Sequence, residues 1–228
     1  MPLDSRSPWS TPETVSGFVR SPPNAMLVQF AAAELARVGR GCAVDIGCGA
    51  GRNAVPLVSQ GWKIVGIDSS WPMLRAAAER AARERLADRL LLSLSAMDGL
   101  GVRDRACDLV VAHGIWNLAR SAAELRRAID EAARISKPGA GLFVFTFSRS
   151  TLPVQSEPVA GESFVFTEFS GVPQCFLTAS QLLAELGRVG FEPTPEVPLR
   201  EYNRPAPGSV RHGAPAIYEA AFRRRIPA

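Results

Sequence analysis

The residues best suited to chemistry lie in the run Val44-Asp45-Ile46-Gly47-Cys48-Gly49-Ala50-Gly51-Arg52-Asn53, where an apolar stretch carries a carboxylate and then breaks into alternating glycines. Glycine adopts backbone conformations closed to other residues and lets a ligand approach the main chain. A G-x-G-x-G turn leading into a helix therefore offers its amides to a nucleotide-like molecule. The register is not that of the dinucleotide pattern G-x-G-x-x-G, because Arg52 stands where the third glycine belongs. Asp45, just before the turn, suits a ligand ammonium better than a string of phosphates. Roughly 20 residues further on, Val65-Gly66-Ile67-Asp68 ends in a second carboxylate, placed to accept hydrogen bonds from both hydroxyls of a ribose.

A second group follows the fourth apolar run: His113-Gly114-Ile115-Trp116-Asn117-Leu118. His113 can take a proton from a hydroxyl or thiol, or serve as a structural histidine bonded to backbone. Trp116 can stack on a flat substrate or pack in the core. Asn117 can orient a polar group or cap a helix. Near the N-terminus, Trp9, Phe18, Arg20 and Asn24 are placed to close over a ligand or merely to pin the chain end. Arg149, Arg200, Tyr202, Arg204 and Arg211 are candidates for binding a substrate carboxylate. Cys42, Cys48, Cys107 and Cys175 show no C-x-x-C spacing, and the histidines are His113 and His212, so no metal site is expected; Cys175 reads as a small apolar residue.

The elements that must position these groups alternate. Val44 to Ile46, Ile64 to Ile67, Leu109 to Ala112 and Leu142 to Phe147 are short apolar runs typical of strands buried on both faces. Between them, Ser70 opens a helix with Leu74, Ala77, Ala78, Ala81 and Ala82 on one face. Ser121 and Glu124 have capping-box spacing ahead of Leu125, Ala128, Ile129 and Ala132, and Lys137-Pro138-Gly139 stops that helix. Thr178 and Gln181 repeat the box, and Gly190 closes the helix. The order implies an α/β fold with a mostly parallel sheet. Glu192 to Tyr202 and Ala216 to Phe222 have no helix between them and predict a terminal antiparallel hairpin. Residues 1–38, with a helix starting near Asn24, and residues 148–177, carrying Phe164, Phe166, Phe169 and Phe176, fall outside the alternation; both are lid candidates, and the second is also readable as an extra hairpin.

Together these motifs resemble the class I, Rossmann-like S-adenosylmethionine-dependent methyltransferases over roughly residues 43 to 147. Ser95-Ala96-Met97-Asp98 sits where that family contacts adenine. Cys107 to His113 resembles its fourth strand, and Lys137 to Leu142 the loop before its fifth. The resemblance implies a seven-stranded sheet with helices on both faces and S-adenosylmethionine as cofactor. It gives Asp45, Gly47, Cys48, Gly49 and Gly51 to the methionine part, Asp68 to the ribose, and Met97 and Asp98 to the adenine edge. Arg52, Asn53, Ser69, Met73, Ala96 and His113 complete the implied shell. Gly51-Arg52-Asn53 also looks like the tellurite-resistance and thiopurine methyltransferase subset. The domain reading is an N-terminal lid or helical extension, 1–38, and a methyltransferase domain, 39–228, with its insertion at 148–177.

Composition narrows the function classes. The 26 basic and 22 acidic residues are interspersed and give a net charge of +4, too even for a nucleic-acid stripe; the one dense run, Arg223 to Arg225, reads as a solvated chain end. No apolar run reaches the roughly 18 residues of a membrane span and no signal-peptide core is evident, so a cytoplasmic protein is expected. No Asp/Asn-Pro-Pro-Tyr/Phe motif follows the fourth strand, which disfavours amino-directed DNA methylation. The reading is methyl transfer to a small-molecule thiol, chalcogen, hydroxyl or carboxylate. A non-catalytic S-adenosylmethionine-binding module and a nicotinamide-dependent oxidoreductase are the alternatives, and the sequence leaves oligomeric state open.

Overall fold

A computed structural model describes residues 8–205 and 214–226, so Arg211 and His212 lie outside the described residues. Five parallel strands, β1 (Cys42–Ile46), β2 (Lys63–Asp68), β3 (Leu90–Leu94), β4 (Cys107–His113) and β5 (Ser136–Phe147), form most of one sheet. A small hairpin follows, β6 (Val165–Phe166) with β7 (Gln174–Cys175), and then β8 (Phe191–Pro193), β9 (Arg200–Tyr202) and β10 (Ile217–Arg224). The large sheet runs β3-β2-β1-β4-β5-β10-β8, with β9 also paired to β10. It has seven positions, the outermost shared by the short β8 and β9. Pro193, Pro195 and Pro198 cannot donate to a ladder, which explains why one strand from Glu192 to Tyr202 does not form.

Helices cover both faces. On one, α2 (Ala25–Val38) buries Leu27, Phe30 and Ala31, and α3 (Ala54–Gln60) buries Val55, Leu57 and Val58 against β1, β2 and β4. On the other, α5 (Ala122–Ile135) inserts Leu125, Ala128, Ile129 and Ala132, and α6 (Ala179–Arg188) inserts Leu182 and Leu186. Two further helices, α1 (Pro12–Arg20) and α4 (Trp71–Arg83), pack on each other over the start of α3. In α4 the buried stripe is Met73, Leu74, Ala76, Ala77 and Ala81; Ala78 and Ala82 are exposed, because the face shifts toward Phe18 and Val15 of α1. The α6 capping box is complete, with Thr178 and Gln181 bonded reciprocally. At α5 only half of it forms, since the Glu124 carboxylate accepts from Arg120 N instead.

Three sequence expectations take another form. Lys137, Pro138 and Gly139 end α5 but belong to β5, where the register jumps from Cys107↔Ser136 to Leu109↔Gly141 and the extra residues bulge out. Residues 148–177 supply the hairpin, with Phe164, Phe166 and Phe176 buried and Phe169 42% exposed. Of the arginines at 223–225, which were expected to be solvated, Arg225 is exposed in a surface pair with Glu192, whereas Arg223 pairs with the buried Glu34 and Arg224 bonds to Val189 O over the Phe191 ring. Among the described residues, no helix is long and apolar enough to cross a membrane and no group of three metal-ligating side chains is assembled.

Candidate active site

Parallel strands bring their carboxyl ends to one edge of the sheet, so Asp45 of β1, Asp68 of β2 and His113 of β4 share one crevice. The antiparallel β10 delivers Glu219 to the same edge from its opposite end, since Glu219 lies across from Phe145, which also pairs with His113. The turn after β1 is anchored by Gly47 N and Cys48 N, both donating to Ile67 O at 2.7 and 2.9 Å. Gly47, Gly49 and Gly51 have φ of 72°, 53° and 73°. A Cβ on Gly47 would also fall 2.8 Å from the Ile115 side chain, so conformation and space both require glycine there.

Asp45 is 2% exposed, and its Oδ2 has no hydrogen-bond partner among the described residues. Burial pushes its carboxyl up to about 7, Arg52 opposes that rise, and the neighbouring Asp68 adds to it. Asp68 accepts from Gly49 N at 2.9 Å through Oδ2 and from Ser70 N at 2.8 Å through Oδ1; burial raises its pKa while those amides lower it.

Arg52 Nη2 donates to His113 Nδ1 at 3.0 Å. The His113 ring stacks on Phe145 at 4.2 Å, and its Nε2 lies 3.2 Å from Asn24 Nδ2. Asn24 ties several elements together. Its Oδ1 caps α2 through Leu27 N, its Nδ2 donates to Glu219 Oε2 at 2.7 Å, and its own N donates to Asn53 Oδ1 at 3.0 Å. Burial, with Arg52 second, pushes the His113 imidazole down to about 3. At neutral pH the ring is therefore uncharged and a very weak base. Of the two readings of His113, the hydrogen-bonded structural histidine fits this setting better than a proton-abstracting base.

Above the glycine turn, Phe18 of α1 lies 3.4 Å from where a Gly49 Cβ would sit, and it packs with Met73. Ser70 Oγ holds the chain before α1 through Trp9 O and Ser10 Oγ, while Trp9 and Phe18 meet edge to face at 6.1 Å.

Comparison with known proteins agrees with this geometry. Residues 43–139 match the methyltransferase domain family. The chain is 29% identical to demethylmenaquinone methyltransferase of Lactiplantibacillus plantarum over 65% of its own length and 69% of that protein. It is 32% identical to the ubiquinone/menaquinone biosynthesis C-methyltransferase of Syntrophotalea carbinolica over 53% of its length, spanning about half (50%) of that relative. The fold matches an S-adenosylmethionine-dependent methyltransferase from Methanosarcina mazei with a TM-score of 0.67 at 21% identity, covering 82% of this chain and 94% of that one.

The chain carries a methyltransferase domain over residues 43–139, on a sheet of the class I, Rossmann-like methyltransferase order. Its cofactor is S-adenosylmethionine. The relatives just described act in quinone biosynthesis, and nothing in them supports the narrower likeness to the tellurite-resistance and thiopurine subset.

The methyltransferase crevice gathers Asp45, Gly47, Gly49, Arg52, Asn53, Asp68, His113, Phe18 and Asn24. The other expected residues are placed as follows. Ala96 and Ser69 are exposed near the end of β3 and the start of α4, and the Asp98 carboxylate is paired with Arg127 at 2.9 Å. Met97 packs partly against the core. Arg20 is exposed and bonds to Ser16 within its own helix. Trp116 is 1% exposed inside the α5-side core, so it is a packing residue and offers no open face for stacking. Asn117 is 2% exposed and caps no helix; its Oδ1 has no partner among the described residues. Arg149 donates to the carbonyls of Leu152, Pro153, Val154 and Ser156 and covers the Phe166 ring, which organises the insertion and leaves little of its fork for a carboxylate. Arg200 and Tyr202 stay on the outer strand, and Arg204 faces Glu201 at 3.6 Å. Sequence reasoning missed Glu219, although an acid inside Ile217-Tyr218-Glu219-Ala220-Ala221-Phe222 was its signal.

Proposed function

We propose that this methyltransferase acts on a small molecule, and that its acceptor is a hydroxylated aromatic of the quinol type, methylated on ring carbon. The observation that carries the cofactor half is the buried, unpartnered Asp45 Oδ2 beside the Arg52 guanidinium at a glycine turn. An acid and a base in that position suit the ammonium and carboxylate of the methionyl group, and Arg52 has donors beyond the one directed at His113. Each Asp68 oxygen keeps a lone pair beyond its backbone bond with which to receive a ribose hydroxyl, and Met97 is the adenine-edge residue. When bound, the cofactor supplies a methyl group already activated as a sulfonium. What remains for the protein is alignment, exclusion of water and handling of the acceptor's proton.

The acceptor half rests on the relatives' names and on the polar group at the crevice. Glu219 is 7% exposed, and Asn24 Nδ2 is its one side-chain hydrogen-bond donor among the described residues, so its carboxylate can accept from an acceptor hydroxyl. His113 holds Arg52 through a hydrogen bond and the Phe145 ring through stacking. Residues 8–38 act as a lid through Trp9, Phe18 and Asn24, and 148–177 joins Phe147 of β5 in an aromatic wall through Phe169 and Phe176. The setting is cytoplasmic, without a nucleic-acid partner.

The test is enzyme-dependent release of S-adenosylhomocysteine against a panel of reduced naphthoquinones lacking the ring methyl, catechols, thiols and carboxylates. Carbon-methylated naphthoquinol is the expected product. Turnover confined to thiols or carboxylates would replace the acceptor assignment, and cofactor binding without transfer to any of them would favour a non-catalytic module.

A further inference from the structure

Four cysteines are present, and two of them meet at the edge of the sheet opposite the crevice. Cys42 opens β1 and Cys107 opens the adjacent β4. Alternation along β1 puts Cys42 on the same face as Val44 and Ile46, which pack in the α5-side core. Simple alternation along β4 would put Cys107 on the face of Leu109, in the opposite core. The register shift between Cys107 and Leu109 turns it instead into the α5-side core, the face of Cys42. The two thiols are near enough for each to shift the ionisation of the other. Ala43 pairs with Leu109, so Cys42 stands level with Asp108 and one residue along from Cys107; strands about 4.8 Å apart with a rise of about 3.3 Å per residue put the two Cα atoms roughly 6 Å apart, within the roughly 4.4 to 6.8 Å that a disulfide bridges.

The surroundings differentiate the two sulfurs. Cys107 is fully buried, whereas Cys42 is half-buried. Asp108 fixes the corner by accepting from Cys42 N at 3.0 Å and from Lys137 Nζ at 2.8 Å. The adjacent Cys107 thiol, with Lys137 and Lys63, lowers the Cys42 thiol against the opposing effects of burial and Asp108, while the same contact and burial raise Cys107. Cys48 and Cys175 are buried singly, and burial pushes both thiols up, Cys175 to about 12.

We propose that Cys42 and Cys107 form a reversible thiol–disulfide pair, with Cys42 the thiol that reacts with hydroperoxides and Cys107 the thiol that resolves it. The Cys42 sulfur attacks one peroxide oxygen, the O–O bond breaks, and the other oxygen leaves as water or an alcohol, giving a sulfenic acid. The Cys107 sulfur then displaces that hydroxyl, which departs as water with the Cys107 proton. Two thiols lose two electrons and the peroxide gains them.

The test treats the folded full-length protein with hydrogen peroxide, blocks free thiols with iodoacetamide and maps peptides by mass spectrometry. The expected result is a Cys42–Cys107 cross-linked peptide pair, reversed by dithiothreitol, with Cys48 and Cys175 still reduced. Cys107→Ser should leave a sulfenic acid at Cys42 that dimedone traps, and Cys42→Ser should leave Cys107 reduced, both in protein shown to be folded by circular dichroism. A wild-type protein whose Cys42 stays reduced, joins only to a second molecule, or oxidises no faster than Cys175 would overturn the proposal.

Discussion

Asp45 and His113 lie in one crevice, yet they bias stability in opposite directions as pH changes. The Asp45 carboxyl is raised to about 7, so between about 3.8 and 7 the folded chain holds a proton that the unfolded chain has released, and stability falls as pH rises through that window. The His113 imidazole is lowered to about 3, so between about 3 and 6.5 the unfolded chain holds the extra proton, and stability rises with pH. The two slopes partly cancel from about pH 4 to 6.5. Asp45→Asn is expected to leave the His113 slope exposed and to raise stability at pH 8 by roughly 1 to 4 kcal/mol, while weakening S-adenosylmethionine binding. Melting temperatures from pH 4.5 to 8 with a parallel binding titration would show it; an unchanged melting temperature at pH 8 contradicts the buried-charge account. His113→Gln should have the opposite effect on the curve, leaving a protein that loses stability steadily from pH 4.5 to 7. A curve parallel to the wild type would return that slope to other groups.

At the scale of elements, what was legible depended on whether an element's signal was local. Thr178 with Gln181, Ser70 before α4 and the glycine turn are short-range patterns, and the chain adopts them as read. The α1 helix also has local signals, with Thr11 as cap, Pro12 in the first turn and Val15, Phe18 and Val19 on one side, but its Pro/Ser surroundings obscured them. Glu219, Trp116 and Arg149 depend on which strand lies beside which, and residue type alone does not say whether an indole faces a ligand or a core. Asn24 joins the two scales, because one side chain caps α2 and also reaches Glu219. Asn24→Ala should cost about 1.5 to 3 kcal/mol from the lost cap and the lost buried hydrogen bond, and Asn24→Ser, which keeps the cap, should recover about 1 kcal/mol. Denaturant midpoints compare them; equal losses for the two variants would mean that the cap contributes little.

For the whole molecule, the alternation of apolar runs and amphipathic stretches was enough to give the class, because right-handed crossovers leave few ways to arrange five parallel strands. Strand β3 was not among the apolar runs first read as strands. Its sequence Leu90-Leu91-Leu92-Ser93-Leu94 occupies the sheet edge with Leu91 67% exposed, so it lacks the two-sided burial that marks the inner strands. The acceptor was less legible than the cofactor for a physical reason: the cofactor turn is built from consecutive residues, whereas the acceptor crevice proposed above draws on residues of α1, α2, β4, β5 and β10. The most direct test of the central claim is calorimetric titration of the folded protein with S-adenosylmethionine, S-adenosylhomocysteine and the reduced and oxidised nicotinamide dinucleotides. Saturable micromolar binding of the first two, weakened by Asp45→Asn and absent for the dinucleotides, is the predicted result, and binding of a dinucleotide with no response to either S-adenosyl compound would contradict it.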